Sequence, residues 1–274
     1  MSTLNVNGVD LFYEVLGNES SEKTVVFLNG VMASTNSWYN IAKVFESLDF
    51  KVVLHDFKGQ LRSDKPQGPY TFKEHCEETK ALLKHLKIEK AHLIGTSYGG
   101  EVAMKFAILY PELTESISII DSVSELDGIL EYFVDSWKIA AAAGNGEEFF
   151  NVLVPSIYGN TFIKDNKEFL KERAKAMNSV PADYFKGQIE LYNTFNKDVY
   201  MTDELKNIKC PAMIICGSED LLKRPKFSKI IRDNIVNSEY VTIPESGHVA
   251  IFEKEEEIKS ILLGFILKHM ANCK

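Results

Sequence analysis

Residues 91–110, AHLIGTSYGGEVAMKFAILY, decide how the rest of the chain is read. A short apolar run, 91–94, gives way to Gly95-Thr96-Ser97-Tyr98-Gly99-Gly100 and then to an almost wholly apolar helical segment. This is a G-x-S-x-G pattern at a strand-to-helix junction, an arrangement that presents a serine hydroxyl on a sharp turn. The spacing has a steric cause. A serine held in a strained turn would collide with bulky neighbours two residues away, so Gly95 and Gly99 clear that space, and Gly100 lets the helix start close against the strand. The turn also puts the Tyr98 N–H in a first helical turn, where unpaired donors and the positive dipole end would stabilise an oxyanion. A chance occurrence of the pentapeptide in a chain this long has odds of about 1 in 15. Its meaning therefore depends on what flanks it.

Upstream, residues 3–6 and 9–16 alternate in polarity around Asn7-Gly8, a dipeptide that favours a two-residue hairpin. Residues 23–28, KTVVFL, and 51–55, KVVLH, are continuous β-branched runs of the kind buried on both faces of a parallel sheet. The first ends in a loop from Asn29 to Ser34 before a helix expected over 36–48. The second runs into a polar loop, 56–66. Thr71 and Glu74 form a capping-box pattern at the start of a helix expected over 72–86. Downstream, Pro111 ends the helix after Ser97, and 115–120 is another apolar strand closing on Asp121. Strands alternating with helices predict an α/β fold with a mostly parallel sheet.

From Ser122 to Tyr200 that rhythm stops. Helical stretches rich in aromatic residues are punctuated by Gly144-Asn145-Gly146, Pro155 and Pro181, and they read as a helical cap inserted into the α/β domain. The rhythm resumes with strands over 211–216 and 239–243, a helix near 225–234 and a final helix over 252–269. The expected organisation is thus a first core part over 1–121, a cap over 122–200 and a second core part over 201–274.

The 274 residues are 45% hydrophobic and 26% charged, as in an ordinary globular protein. A formal net charge of −8, with no Lys/Arg block, argues against nucleic acid or an anionic membrane as a main partner. Cysteines 76, 210, 216 and 273 show no C-x-x-C pair, so free thiols are expected rather than a disulfide frame or metal site. No apolar run reaches the ~18 residues of a membrane span, and the first residues lack a basic-then-apolar leader. The expected address is the cytoplasm, and the composition is silent on oligomeric state.

A serine hydroxyl needs a base, and the base needs an orienting carboxylate. For this elbow the chain order is Ser, then Asp or Glu, then His. Of the six histidines, only His248 sits in a Gly-His pair on a loop after a late strand. His75, His85 and His269 fall in helices, and His55 and His92 fall in or at the end of strands, where packed or solvent-facing roles are expected. For the acid, Asp220 follows an apolar strand in C-G-S-E-D; Asp121 is the runner-up and Glu219 adjoins the favourite. The second oxyanion donor is expected from the loop after KTVVFL, at the Val31 N–H beside Gly30. Asn29 and Gly30 on that loop, with Phe133, Trp137 and Tyr158 of the helical region, are the candidate substrate contacts. The chemistry expected is hydrolysis of a carboxylic ester or thioester of an apolar acyl or aromatic small molecule. Transfer of a (hydroxy)acyl group from a thioester donor to a hydroxyl acceptor is the alternative. A ligand-binding module that reuses an enzyme's shell is a reading from another class.

With these residues in place, the chain resembles the α/β-hydrolase superfamily. The likeness covers both core halves, through the hairpin, the Asn29-Gly30 loop, D-F-K-G-Q-L-R-S-D-K-P, G-T-S-Y-G-G, G-S-E-D and P-E-S-G-H. It implies an eight-stranded sheet, a triad of Ser97, Asp220 and His248, an oxyanion hole from the Val31 and Tyr98 N–H groups, and no metal or organic cofactor. Two departures stand out. Most relatives carry His-Gly at Asn29-Gly30, and the usual glycine of D-x-R-G-x-G-x-S is Leu61. The run from Asn29 to Thr35 is similar to that of the hydroxyalkanoyl synthases of rhamnolipid biosynthesis, a local likeness on the side of acyl transfer.

Overall fold

The computed structural model describes residues 2–270. Strands β1 (Ser2–Val6) and β2 (Val9–Gly17) pair antiparallel, and Asn7 and Gly8 turn between them with φ of 54° and 87°. Both turn positions take the positive φ that a tight hairpin demands. After β3 (Thr24–Leu28) come α1 (Tyr39–Glu46), β4 (Lys51–His55), α2 (Phe72–His85), β5 (Ala91–Thr96), α3 (Tyr98–Leu109) and β6 (Thr114–Ile120). Five helices follow with no strand among them: α4 (Gly128–Ala142), α5 (Gly146–Ile157), α6 (Asn160–Asp165), α7 (Lys167–Ala176) and α8 (Tyr184–Asp198). The chain closes through β7 (Ala212–Gly217), α9 (Pro225–Asn234), β8 (Ser238–Ile243), α10 (Ala250–Glu253) and α11 (Glu255–Met270).

The eight strands form one sheet in the order β1-β2-β4-β3-β5-β6-β7-β8, parallel throughout except at β1–β2 and β2–β4. Each parallel strand feeds side chains alternately to two cores, as the pleat dictates. Val25, Phe27, Val52 and Leu54 pack on one face with Trp38, Phe45, Ile258 and Leu262. Val26, Leu28, Val53 and Leu93 pack on the other with Leu82, Val102 and Phe106. Burial on both faces is why β3 and β4 read as unbroken apolar runs. The chain order reverses around β3, whose neighbours are β4 and β5. A crevice opens beyond the carboxyl ends of such strands, and there open α/β sheets bind ligands.

Several expectations shift locally. The helix expected over 36–48 begins as a 3-10 turn, Thr35–Trp38, before α1. The final helix expected over 252–269 is divided at Lys254 (φ −137°, ψ 51°) into α10 and α11. Just before the break, the Glu253 carboxylate turns back to accept from the Gly247 and Gly159 N–H groups. Cys76, Cys210 and Cys216 are free thiols, and Cys273 lies outside the described residues.

The glycines of the elbow serve close packing more than the serine's own backbone. A methyl group on Gly99 would strike the Leu28 carbonyl at the end of β3, and one on Gly95 would strike Gly99 and Gly100. Gly99→Ala is expected to destabilise the fold by about 1–3 kcal/mol, the usual cost of overpacking where backbone meets backbone. Gly128→Ala, where a methyl meets nothing within 4 Å, should stay within about 0.5 kcal/mol. Urea midpoints of the two variants decide it; equal midpoints would contradict the packing account.

Candidate active site

Ser97 joins β5 to α3 with φ 53° and ψ −119°, a left-handed conformation that costs a non-glycine residue about 1–3 kcal/mol. The surroundings over-determine it. Its N–H donates to the Ile120 carbonyl at 2.8 Å, and its own carbonyl accepts from the Gly100 N–H at 2.9 Å and the Ser122 hydroxyl at 2.9 Å. These bonds use only main-chain atoms of Ser97 and leave its hydroxyl free to face the crevice.

His248 arrives on the loop between β8 and α10. Its Nε2 lies 2.9 Å from Ser97 Oγ, and its Nδ1 lies 2.9 Å from Asp220 Oδ2. Asp220 is buried, and its other oxygen accepts from the Leu222 and Lys223 N–H groups at 2.9 and 2.8 Å. With Oδ1 so occupied, Oδ2 is the oxygen turned to the imidazole. The structure therefore brings Ser97, His248 and Asp220 into one chain of hydrogen bonds.

Asp121 and Glu219 lie close by but face other groups. Asp121 is wholly buried, and its two oxygens accept from the Gly217 N–H at 2.9 Å and the Ala250 N–H at 3.2 Å. It thus ties the acid-bearing end of β7 to the segment after His248. Burial, and then the Asp220 charge, hold its pKa well above the ordinary value. Glu219 accepts instead from the Asn160 N–H at the start of α6, at 2.9 Å.

The Val31 and Tyr98 residues both line the crevice at Ser97. Among the described residues neither N–H has a hydrogen-bond acceptor. One of the two peptides is held by a side chain that sequence patterns did not single out. Gln60 Nε2 donates to the Gly30 carbonyl at 2.8 Å, which also accepts from the Ala33 N–H at 3.0 Å. Carbonyl and N–H point opposite ways across a trans peptide, so this grip turns the Val31 N–H away from Gln60.

Of the candidate substrate contacts, Gly30, Trp137 and Tyr158 line the same cavity. Asn29 and Phe133 do not, and both expectations are corrected. Asn29 is fully buried behind the loop, donating to the His55 carbonyl, Asp56 and Gln60 and accepting from the Trp38 indole at 2.8 Å. Phe133 is a question of helix phase: α4 turns Leu130, Val134 and Trp137 to the cavity, and Phe133 lines a separate surface groove with Tyr132 and Arg224. The remaining histidines sit in packing contacts. His75 meets the Tyr98 hydroxyl at 2.9 Å, His92 meets Ser116 at 2.7 Å and His55 meets Thr79 at 3.4 Å. Burial lowers both His55 and His92 to a pKa of about 4. His85 meets the Tyr13 hydroxyl at 3.2 Å and His269 meets Glu239 at 3.2 Å. No group of three or more His, Cys, Asp or Glu among the described residues is placed to hold a metal ion. Nor is any described helix long and apolar enough to cross a membrane.

A buried ion pair stands beside the acid loop. Lys223 Nζ donates to both oxygens of Glu101, at 2.8 and 2.9 Å, and lies 4.5 Å from the Phe195 ring centre. Burial opposes both charges, pushing Glu101 up to about 7 and Lys223 down. Lys223→Met would leave the carboxylate buried without its cation, at an expected cost of about 3–5 kcal/mol. The sign with pH follows from proton counting. Between the ordinary 4.5 and the folded value of about 7, the folded carboxyl keeps a proton that the unfolded chain has released, so raising the pH withdraws stability. Without Lys223 the folded value climbs further, and the deficit is expected to grow from acid to mildly alkaline pH. Urea unfolding of both proteins at either end of that range tests it; an equal deficit at both would contradict it.

The comparisons agree with this architecture. Residues 23–255, which include Ser97, Asp220 and His248, match the family described as alpha/beta hydrolase fold. The chain is 25% identical to a proline iminopeptidase of Lactobacillus helveticus, over 96% of each chain. Among solved structures it is similar to MGS-M2, an alpha/beta hydrolase enzyme from a Medee basin deep-sea metagenome library. That likeness has a TM-score of 0.92 and 28% identity, over 100% of this chain and 98% of that one. Est816, an N-acyl homoserine lactone degrading enzyme, aligns with a TM-score of 0.82 and 26% identity over 96% of this chain and all of its own. On the match through both halves of the core, the chain belongs to the α/β hydrolase fold family and is a hydrolase-type enzyme.

Proposed function

We propose that the protein is a serine hydrolase cleaving a carboxylic ester or thioester of an apolar acyl or aromatic small molecule. The observation that carries this reading is the pair of 2.9 Å contacts linking Ser97 Oγ, His248 and Asp220 in series, with Ser97 opening on an apolar cavity. His248 Nε2 takes the Ser97 proton as Oγ attacks the carbonyl carbon. Asp220 holds Nδ1–H, which fixes the tautomer and balances the imidazolium charge. The Val31 and Tyr98 N–H groups receive the oxyanion. The imidazolium returns its proton to the leaving group, and water activated by the same nitrogen releases the acyl-enzyme.

Helices α4–α8, within residues 122–200, act in this reading as a cap over the two core parts, 1–121 and 201–274. Leu130, Val134, Trp137, Phe150 and Tyr192, all on those helices, line the cavity, which supports an apolar acyl or aryl portion. The similar chains named a proline iminopeptidase and an N-acyl homoserine lactone degrading enzyme are consistent with a hydrolytic reading. Transfer of the acyl group to a hydroxyl acceptor would share that acyl-enzyme. The likeness at Asn29 to Thr35 is its support, but Asn29 itself is sequestered in packing. The cytoplasm stays the assigned address on the sequence reading. A fluorophosphonate probe should label the wild type and not Ser97→Ala, while a panel of esters of rising acyl length reads out the acyl preference. Equal labelling of both proteins would remove Ser97 as nucleophile.

A further inference from the structure

Resting on the ester reading above, we propose that the natural substrate carries a carboxylate at the end remote from the scissile bond and that Arg173 on α7 receives it. The chain has an acidic excess, with a formal net charge of −8, yet no Asp or Glu lines the cavity at Ser97. Its charged lining is cationic: Lys223, which Glu101 already neutralises, and Arg173. The four arginines of the chain are 62, 173, 224 and 232. Arg62 pairs with Glu14 at 2.9 Å, Arg232 with Asp233 at 2.7 Å and Arg224 with Asp127. Arg173 has no carboxylate partner among the described residues, and it is the one at the cavity.

The guanidinium is also held in place. The Phe169 and Phe252 ring centres each lie 5.9 Å from it, within reach of cation–π attraction. Arg173 also hydrogen-bonds the buried Tyr158 hydroxyl, and its charge opposes the upward push that burial gives the phenol. The same cavity offers an uncommitted polar group. The Tyr192 hydroxyl is buried with no hydrogen-bond partner among the described residues, a costly state unless a ligand supplies one. An apolar wall with one cation near its mouth that lacks a carboxylate partner suits an acyl chain ending in a carboxylate.

The test uses 4-nitrophenyl half-esters of the linear dicarboxylic acids from adipate to sebacate, each set against the neutral ester of equal acyl length. Arg173 is exposed at the mouth, so its worth is that of a partly solvated pair. At the best chain length the ratio of kcat/KM, half-ester over neutral ester, should fall about five- to tenfold in Arg173→Met. The loss should lie in KM, since the contact is made equally in ground and transition states. Arg173→Lys should recover part of it and leave the fork geometry missing. A ratio unmoved by Arg173→Met across the whole series overturns the proposal, even where Ser97-dependent turnover of neutral esters stands. If no ester of either kind is turned over, the ester reading fails instead. The subsite is then read by tryptophan fluorescence (Trp137 lines the cavity) during titration with the free dicarboxylates. Binding lost in Arg173→Met supports it, and binding equal in both proteins overturns it.

Discussion

Replacing Ser97 by alanine is expected to lower kcat on a short-chain ester by about 10⁵–10⁶-fold, the scale on which loss of a triad nucleophile is felt. The KM should move little, because the hydroxyl contributes bonding that exists only once the carbonyl is attacked. The fold should be untouched. Every hydrogen bond that holds the strained backbone at this position, to Ile120, Gly100, Glu101 and Ser122, is made by main-chain atoms of Ser97. Alanine meets the same φ of 53° that serine does. Steady-state kinetics on purified protein, with a thermal melt alongside, are the measurement. A variant that keeps turnover within tenfold of wild type, with an unchanged melt, would mean the attacking group lies elsewhere.

The second large effect separates two aspartates. Asp220→Asn is expected to cost about 10⁴ in kcat, because an amide NH₂ facing Nδ1 forces the imidazole proton onto Nε2. With Nε2 protonated, the nitrogen 2.9 Å from Ser97 Oγ can no longer accept. Asp121→Asn should behave otherwise. Its carboxylate faces two backbone N–H groups and no imidazole atom, so an NH₂ there opposes another donor and strains the loops. The expected result is a lowered melting temperature, with kcat reduced less than about 100-fold through displacement of His248. Should Asp121→Asn abolish turnover and Asp220→Asn spare it, the acid would have to be reassigned to residue 121.

The helices between β6 and β7 contribute to this geometry directly. His248 N–H donates to the Ile157 carbonyl at the end of α5, at 2.8 Å. Gly159 N–H donates to Glu253, and Asn160 N–H to Glu219. His248 and the loop that carries Asp220 are thus both fastened to the short stretch where α5 gives way to α6. Burial pushes the Glu253 pKa up, opposed first by the hydrogen bonds from the Gly247 and Gly159 N–H groups.

Strand positions and the elbow were readable from the chain alone because their causes are local. A strand buried on both faces reads as a near-continuous apolar run, as 25–28 does, and a serine elbow must have glycines where backbones touch. The Gly-His loop singled out His248 in the same way, as a short pattern after a strand. Asp220 could be ranked above Asp121 only by its loop just past an apolar strand, since the chain order admits both and the choice rests on which carboxylate oxygen faces Nδ1. Lys223 and Glu101 left no signal at all, being 122 positions apart. Phe133 was misplaced beside Val134 because one residue is a rotation of about 100° on a helix, and only the packing of α4 against the core says which side looks inward. Asn29 was misplaced because a polar residue on a loop reads as exposed until its four hydrogen-bonding neighbours are known. Propensity, turn sterics and hydrophobic period act over a few residues and so are written in the chain. Hydrogen-bond partners, helix phase and the closing of a cavity depend on distances between elements, and those exist only once the elements have packed.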